Sequence, residues 1–303
     1  MKKLKVAWNE VYRHPLPDNH RFPMLKYELL PEQLTYEGTL DNSNFFSPSP
    51  VSEELILKVH DAHYWNNLKT LNLSRKEIRT TGFPHSKELI ERETTIMGGT
   101  VECAYHAIKN GISMNIAGGT HHAFTDRGEG FCLLNDQALA AVDLLEKKAA
   151  SRILIVDLDV HQGNGTAEIF KSNDAVFTFS MHGANNYPQR KESSDLDIAL
   201  ADGITDTGYL ELLVTHLELV TQEFQPNFIF YQCGVDILET DKLGRLGVSV
   251  SGCKKRDEIV LEKALELEAP VVCSMGGGYS EDIKVIIEAH ANTFRLAQDL
   301  FFE

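Results

Sequence analysis

The sequence predicts an α/β domain with a mostly parallel central sheet flanked by helices. Three observations carry that prediction. Short apolar runs recur along the chain, most of them apolar on both faces, as strands covered by helices are. Stretches of helical periodicity alternate with them. Four of the apolar runs end in glycine beside residues able to do chemistry.

Taken in order, the first strand is "KVAW" near residue 5. The segment from Pro31 to Pro50 has weak periodicity and many polar residues, so it reads as surface structure with a loop near "DNSNFFSPSP". "SKELIERETTIMGGTVECAYHAIKN" predicts a helix that is either long or broken at its glycines. "SMNIAGG" near 113 is a strand, and "NDQALAAVDLLEKKA" is a helix with Asn135 as its cap. Strands follow at "RILIVDLDV" near 152 and "AVFTFSMH" near 175. "YLELLVTHLELVTQEF" is a helix, "FIFYQCGVD" near 228 a strand, "KRDEIVLEKALEL" a helix and "PVVCSMGGG" near 270 a strand. No Pro/Gly/Ser linker cuts the chain, so residues 1–303 are expected to form one domain.

A chain of 303 residues with 43% hydrophobic content can bury a large core. Its 44 acidic and 29 basic residues give a formal net charge of -15, which argues against a general nucleic-acid-binding surface. The five cysteines, Cys103, Cys132, Cys233, Cys253 and Cys273, are scattered and form no CxxC pair. Free thiols in a reducing compartment are therefore expected, rather than a disulfide framework or a thiolate zinc site. The start "MKKLKVAWNE" lacks an apolar signal core. No apolar run approaches the roughly 18 residues of a membrane span. These features lead us to expect a soluble, cytoplasmic protein without a membrane partner.

The stretch "DLDVHQGNG" at 157–165 places Asp157, Asp159 and His161 two residues apart at the end of an apolar run. On a strand, that spacing puts all three on one face. Such groups need a partner to offset their desolvation. A metal ion is the simplest one; a salt-bridged strand end with a satisfied histidine is the alternative. In a parallel sheet, ligands sit outside the carboxyl ends of the strands. Those ends read "GGTHHAF", the stretch above, "CGVDILETD" and "GGGYS". Solvated turns account poorly for four such ends together.

These segments, with "HPLPDNHRFPMLKYELL", "DRGEGFCLLND" and "FSMHG", resemble the zinc-dependent histone deacetylase family of the arginase–deacetylase fold. Seven motifs in the right order carry the resemblance over most of the chain. The "HQGNG" and "HRFPM" wording looks most like the class IV branch and its bacterial relatives.

The resemblance implies zinc ligands at Asp159, His161 and Asp236. A carboxylate-rich shell without thiols would also accept iron(II). It places His121 and His122 beside the attacking water, paired with Asp157 and Asn164 respectively. His122 is then expected to be the general base and His121 an electrostatic stabiliser. Some classes of the family carry aspartate where Asn164 stands. Tyr279 would be the oxyanion donor. A monovalent cation, potassium, would sit on Asp157, Ser180 and Met181 with Asp159 and His161. A second cation site maps near Phe170, Asn173 and Val176.

Gly130 and Phe131 match one wall of the family's acyl-lysine channel, and Gly277 is a further substrate-binding position. Tyr187 is a candidate for the opposite wall. Thr120 stands where other classes often carry a large aromatic, which would widen the inner cavity. Arg21 is a candidate for lining the inner cavity where acetate leaves, with a structural ion pair as the alternative.

The implied activity is hydrolysis of an acyl-lysine amide, acetyl or longer, in a peptide or protein. A deacetylase of small acylated amines such as polyamines and a non-catalytic acyl-lysine binding module are the alternatives. A binuclear manganese ureohydrolase of the same fold needs further aspartates near Gly163 and Asn164, which are missing.

Overall fold

The computed structural model describes residues 2–302. Eight strands form one sheet: β1 (Lys5–Ala7), β2 (Phe45–Phe46), β3 (Ile112–Asn115), β4 (Ile153–Asp157), β5 (Val176–Gly183), β6 (Leu196–Leu200), β7 (Phe228–Gln232) and β8 (Val271–Ser274). Their order is β2-β1-β3-β8-β7-β4-β5-β6, and every pair is parallel. The helices are α1 (Lys26–Tyr36), α2 (Glu53–Val59), α3 (Ala62–Lys69), α4 (Arg75–Thr81), α5 (Lys87–Asn110), α6 (Asp136–Glu146), α7 (Asn164–Phe170), α8 (Asp206–Phe224), α9 (Val250–Glu266) and α10 (Ile283–Phe302).

The expected α/β architecture holds, as do all six expected strands. The central strands β3, β4, β7 and β8 are buried at every residue, which is why they read as apolar on both faces. Asn135 caps α6 as expected, its side chain accepting from Ala138 N. The helix α5 is continuous through Gly98 and Gly99. A Cβ on Gly98 would overlap the backbone carbonyl of Ser49, so the glycine lets that segment pack onto the helix.

Two readings of the sequence need correction. The segment 31–50 contains the end of α1 and the edge strand β2. Pro31 lies inside α1 because its missing N–H leaves only the Tyr27 carbonyl unpaired, and the Trp8 indole donates to that oxygen at 2.9 Å. The two residues of β2 pair with Val6 and Ala7, too short a match to leave a periodic signal.

The second correction concerns "DLDVHQ". β4 ends at Asp157, so Asp159 and His161 lie beyond the strand and their shared side is not a strand face. Carboxylates capture the backbone there. Asp159 N donates to Asp157 Oδ1 at 3.2 Å, Val160 N to Asp236 Oδ1 at 2.9 Å and His161 N to Asp159 Oδ1 at 3.0 Å. Local bonds of this kind compete with the ladder and end it.

All eight strands point the same way, so the loops after β3, β4, β7 and β8 meet at one edge of the sheet. The five cysteines are buried and free. Among the described residues, no helix is long and apolar enough to cross a membrane.

Candidate active site

The loop after β3 is fixed from below by Asp136, at the start of α6. Its Oδ1 accepts from Gly119 N, Thr120 N and the Thr120 hydroxyl, all at 2.9 Å. Its Oδ2 accepts from Thr100 and Ser274 hydroxyls at 2.7 and 3.0 Å. This buried carboxylate holds the turn that presents His121 and His122. The two rings lie 4.1 Å apart, centroid to centroid.

Each ring has its own partner. His121 Nδ1 is 2.7 Å from Asp157 Oδ2, and His122 Nδ1 is 2.6 Å from Asn164 Oδ1. Burial disfavours the His121 cation, but the charges of Asp157 and Asp159 outweigh it and raise its pKa to about 9. Burial raises the Asp157 carboxyl as well, against the pull of His121. A close contact between buried groups favours the charged pair, and the rise at His121 agrees with it. His122 goes the other way. Burial and then the positive charges of His121 and His161 push it well below 6.5.

Asp159, His161 and Asp236 converge beside this pair. All three are buried, with one donor atom from each lying within 4.8 Å of the others. His161 Nδ1 stands 3.0 Å from Asp159 Oδ1 and 3.1 Å from Asp236 Oδ2. Gly277 N donates to Asp159 Oδ2 at 2.9 Å, which orients that carboxylate. Burial, then the Asp159 charge, raises Asp236 to about 7. Two buried carboxylates and an imidazole at this spacing fit a divalent cation. Among the described residues this is the one such cluster.

Tyr279 faces the cluster, its ring 6.4 Å from that of His161. Its backbone N–H donates to Asp241 Oδ2 at 2.6 Å. Burial, then the charges of Asp236 and Asp159, raises the phenol well above 10, so its hydroxyl keeps its proton. Asp157 pairs with Ser180 in register between β4 and β5, and Met181 follows. Ser180 Oγ is also 2.9 Å from His182 Nδ1.

A cavity of about 460 Å3 opens onto these groups. Phe131 forms one wall, with φ at +69°, a strained value for a bulky side chain. Tyr187 forms the other, edge-on to His122 at 4.9 Å and donating its hydroxyl to Glu129 Oε2 at 2.6 Å. Thr120, Gly130 and Gly277 also line the cavity, which continues inward to Tyr27, Arg92 and Ile96.

A family model described as "Histone deacetylase domain" matches residues 20–294. The chain belongs to the histone deacetylase family. It is 40% identical over 296 residues to an uncharacterized protein of Picosynechococcus sp., spanning 98% of this chain and 99% of that one. It is 31% identical over 286 residues to histone deacetylase 2 of Arabidopsis thaliana, covering 91% and 74%. Against human histone deacetylase 1 the identity is 32% over 289 residues, covering 88% of this chain and 58% of the human one. Among solved structures, a histone deacetylase homologue from Aquifex aeolicus superposes with a TM-score of 0.82 at 26% identity, covering 97% and 83%. A further solved structure, of a histone deacetylase homologue complexed with SAHA, gives 0.81 at 27%, covering 98% and 84%. As a member of this family the protein is an amide hydrolase.

Within this histone deacetylase domain, His121, His122, Asp159, His161, Gly130, Phe131, Tyr187, Gly277 and Tyr279 line the cavity, while Asp236, Asp157 and Asn164 lie behind it, on the Asp–His–Asp cluster and on the two histidines. Arg21 departs from both readings of it. It is exposed at the cavity mouth, its guanidinium 5.9 Å from the Phe131 ring centroid, with no ion-pair partner among the described residues. The inner cations are Arg92, paired with Glu93, and Lys26. Lys26 is fully buried and donates to Gly276 O at 2.8 Å; burial lowers it to about 8 against the pull of Asp236 and Asp159. A lysine on an amphipathic helix reads as solvent-facing, so the sequence carried no signal for it. The anchors Asp136 and Asp241 lie inside the quoted motifs, but their partners are visible only in the fold.

Proposed function

We propose that residues 1–303 act as one catalytic domain that hydrolyses the amide of acyl-lysine, acetyl or longer, in a peptide or protein. The observation that carries this reading is the contrast between two adjacent histidines, one on a carboxylate and one on an amide, set above a buried Asp–His–Asp cluster.

Asp159, His161 and Asp236 would hold zinc, or iron(II), with Asp157, Ser180 and Met181 holding potassium beneath. A bound zinc ion lowers the pKa of water at its open position and polarises the amide carbonyl. His122 donates Nδ1–H to Asn164 and so keeps Nε2 free to take the water proton. It returns that proton to the lysine nitrogen as the C–N bond breaks. His121, held as a cation by Asp157, lends positive charge beside the negative charge that builds on the carbonyl oxygen as water attacks. The Tyr279 hydroxyl donates to the developing oxyanion. Phe131, Gly130 and Tyr187 pack the lysine methylenes, and Gly277 lines the same channel. The inward extension to Tyr27, Arg92 and Ile96 supports acyl chains longer than acetyl.

The test is turnover by the zinc-loaded protein on lysine peptides acylated from acetyl to myristoyl, with acetylated polyamines alongside. Peptide turnover is the expected result, and the best chain length measures the inner cavity. Turnover of polyamines alone would move the function to small acylated amines.

A further inference from the structure

The mouth of the cavity is basic on a protein whose net charge is -15. Three arginines, Arg21, Arg79 and Arg245, line the cavity and are exposed to solvent. Among the described residues, the only acidic one lining it is Asp159, which belongs to the Asp–His–Asp cluster. Among the described residues, Arg21 and Arg79 have no ion-pair partner. Arg245 has one, Asp202 at 3.4 Å, and both side chains are exposed, so that pair is weak. Glu129, behind Tyr187, is already held by Arg127 Nε at 2.8 Å and by the Tyr187 hydroxyl.

The arginines are placed by three segments tied to the channel walls. His20 Nε2 is 2.8 Å from Gly82 O, which sets the strand of chain carrying Arg21 against the end of α4. The end of α4, the two residues immediately after Arg79, is joined to the channel wall. Gly130 N donates to Thr80 O and Phe131 N to Thr81 O, at 3.1 and 2.8 Å. On the far side, Asn186 Nδ2 donates to Leu243 O at 2.7 Å, linking the Tyr187 loop to the segment that carries Arg245. The positive groups therefore ring the entrance on segments braced by hydrogen bonds.

We infer that the site selects acyl-lysine flanked by acidic residues. The inference rests on the acyl-lysine reading above and names its substrate class. A guanidinium offers a planar fork that matches a carboxylate. Free forks around the entrance attract Asp and Glu beside the acylated lysine and repel lysine or arginine there. They also repel the free ammonium groups of an acetylated polyamine. The negative surface elsewhere favours cations at long range, but screening confines that field to about 10 Å at 0.1 M salt, which leaves the nearby arginines in control of the bound peptide.

The test compares three matched acyl-lysine peptides whose neighbouring residues are Glu, Ala or Lys, using the zinc-loaded enzyme. The expected order of kcat/KM is Glu over Ala over Lys. The outer two should differ by about tenfold at low salt, the sum of a few exposed charge contacts, and the gap should narrow as salt rises. The double variant Arg21→Glu/Arg79→Glu, with its Tm checked against the parent, should invert the order. Equal rates on all three peptides, faster turnover of the Lys peptide, or a ratio untouched by the double variant would each overturn the inference. No turnover on any peptide would overturn the deacylase reading instead. The Kd ratio of the same peptides, labelled and read by fluorescence anisotropy, then decides the charge preference by itself.

Discussion

His122 Nδ1 lies 2.6 Å from the side-chain oxygen of Asn164, while its neighbour His121 meets a carboxylate at a nearly equal distance. One atom in the partner separates their chemistry. An amide oxygen accepts without adding charge, so His122 stays neutral and can take a proton. His122→Ala should therefore cost about 10²–10⁴ in kcat, the usual range for a general base, and His121→Ala clearly less. Equal losses in the two variants would undo the division of roles.

Asn164→Asp tests the same point without removing a ring. A carboxylate at Asn164 Oδ1 would favour the protonated His122. The acid limb of the kcat/KM profile should move up by a pH unit or more, with activity at neutral pH reduced and recovered on going alkaline. A profile that keeps its acid limb would mean that His122 is not the titrating base.

Tyr279 keeps its phenolic proton, because burial and the Asp236 and Asp159 charges all oppose its loss. Tyr279→Phe should lower kcat by about 10²–10³, as removal of one oxyanion donor does. Metal content and Tm should stay at the parent values. A matching drop in metal content would assign the tyrosine to metal binding.

Much of this was legible in the sequence because the chemistry sits at strand ends, and parallel strands carry a strong two-faced apolar signal. "RILIVD" and "FIFYQ" announce both the sheet and the edge where Asp157 and Asp236 emerge. What escaped depends on contacts between distant segments. Pro31 hid α1, since the Trp8 indole that makes the proline tolerable comes from another element. The alternation of Asp157, Asp159 and His161 points to residues that do lie together but through the wrong geometry, because turn bonds rather than the pleat bring them together. For Arg21 the sequence offers an inward position or a structural ion pair, but no motif carries the depth of a side chain, and the buried inner cations are Lys26 and Arg92.

Gly277 has no side chain because there is no room for one. A Cβ there would overlap Asp236 Oδ2 and lie 2.8 Å from Asp159 Oδ2. Gly277→Ala should displace both carboxylates and weaken zinc binding by tenfold or more, measured by competition with a chelator. Affinity unchanged from the parent would show that the loop moves aside at little cost.

Without metal, His161 is raised to about 10, burial being outweighed by its bonds to Asp159 and Asp236. It therefore carries a proton at neutral pH that a metal must displace. Titration calorimetry with zinc at pH 8, above the value of about 7 for Asp236, in buffers of different ionisation enthalpy should report about one proton released, from this ring. Observed heats that do not change with the buffer's ionisation enthalpy, so that no proton is released, would show that His161 binds already neutral.

The His121–Asp157 pair makes a separate prediction for the stability of the chelated protein. His121 rises from 6.5 to about 9 on folding, so between these values the native state binds more protons than the unfolded chain. Stability from this group is fully present below pH 6.5 and is lost as pH rises through 9. A shift of that size corresponds to about 3 kcal/mol. His161 and Asp236 are raised too and drive stability the same way, so the His121 share must be isolated with Asp157→Asn. Denaturant unfolding at pH 6 and pH 10 should show the parent's advantage over Asp157→Asn shrinking by up to about 3 kcal/mol. An advantage equal at both pH values would mean that Asp157 positions a neutral His121, and its proposed role as a fixed positive charge would fail with it.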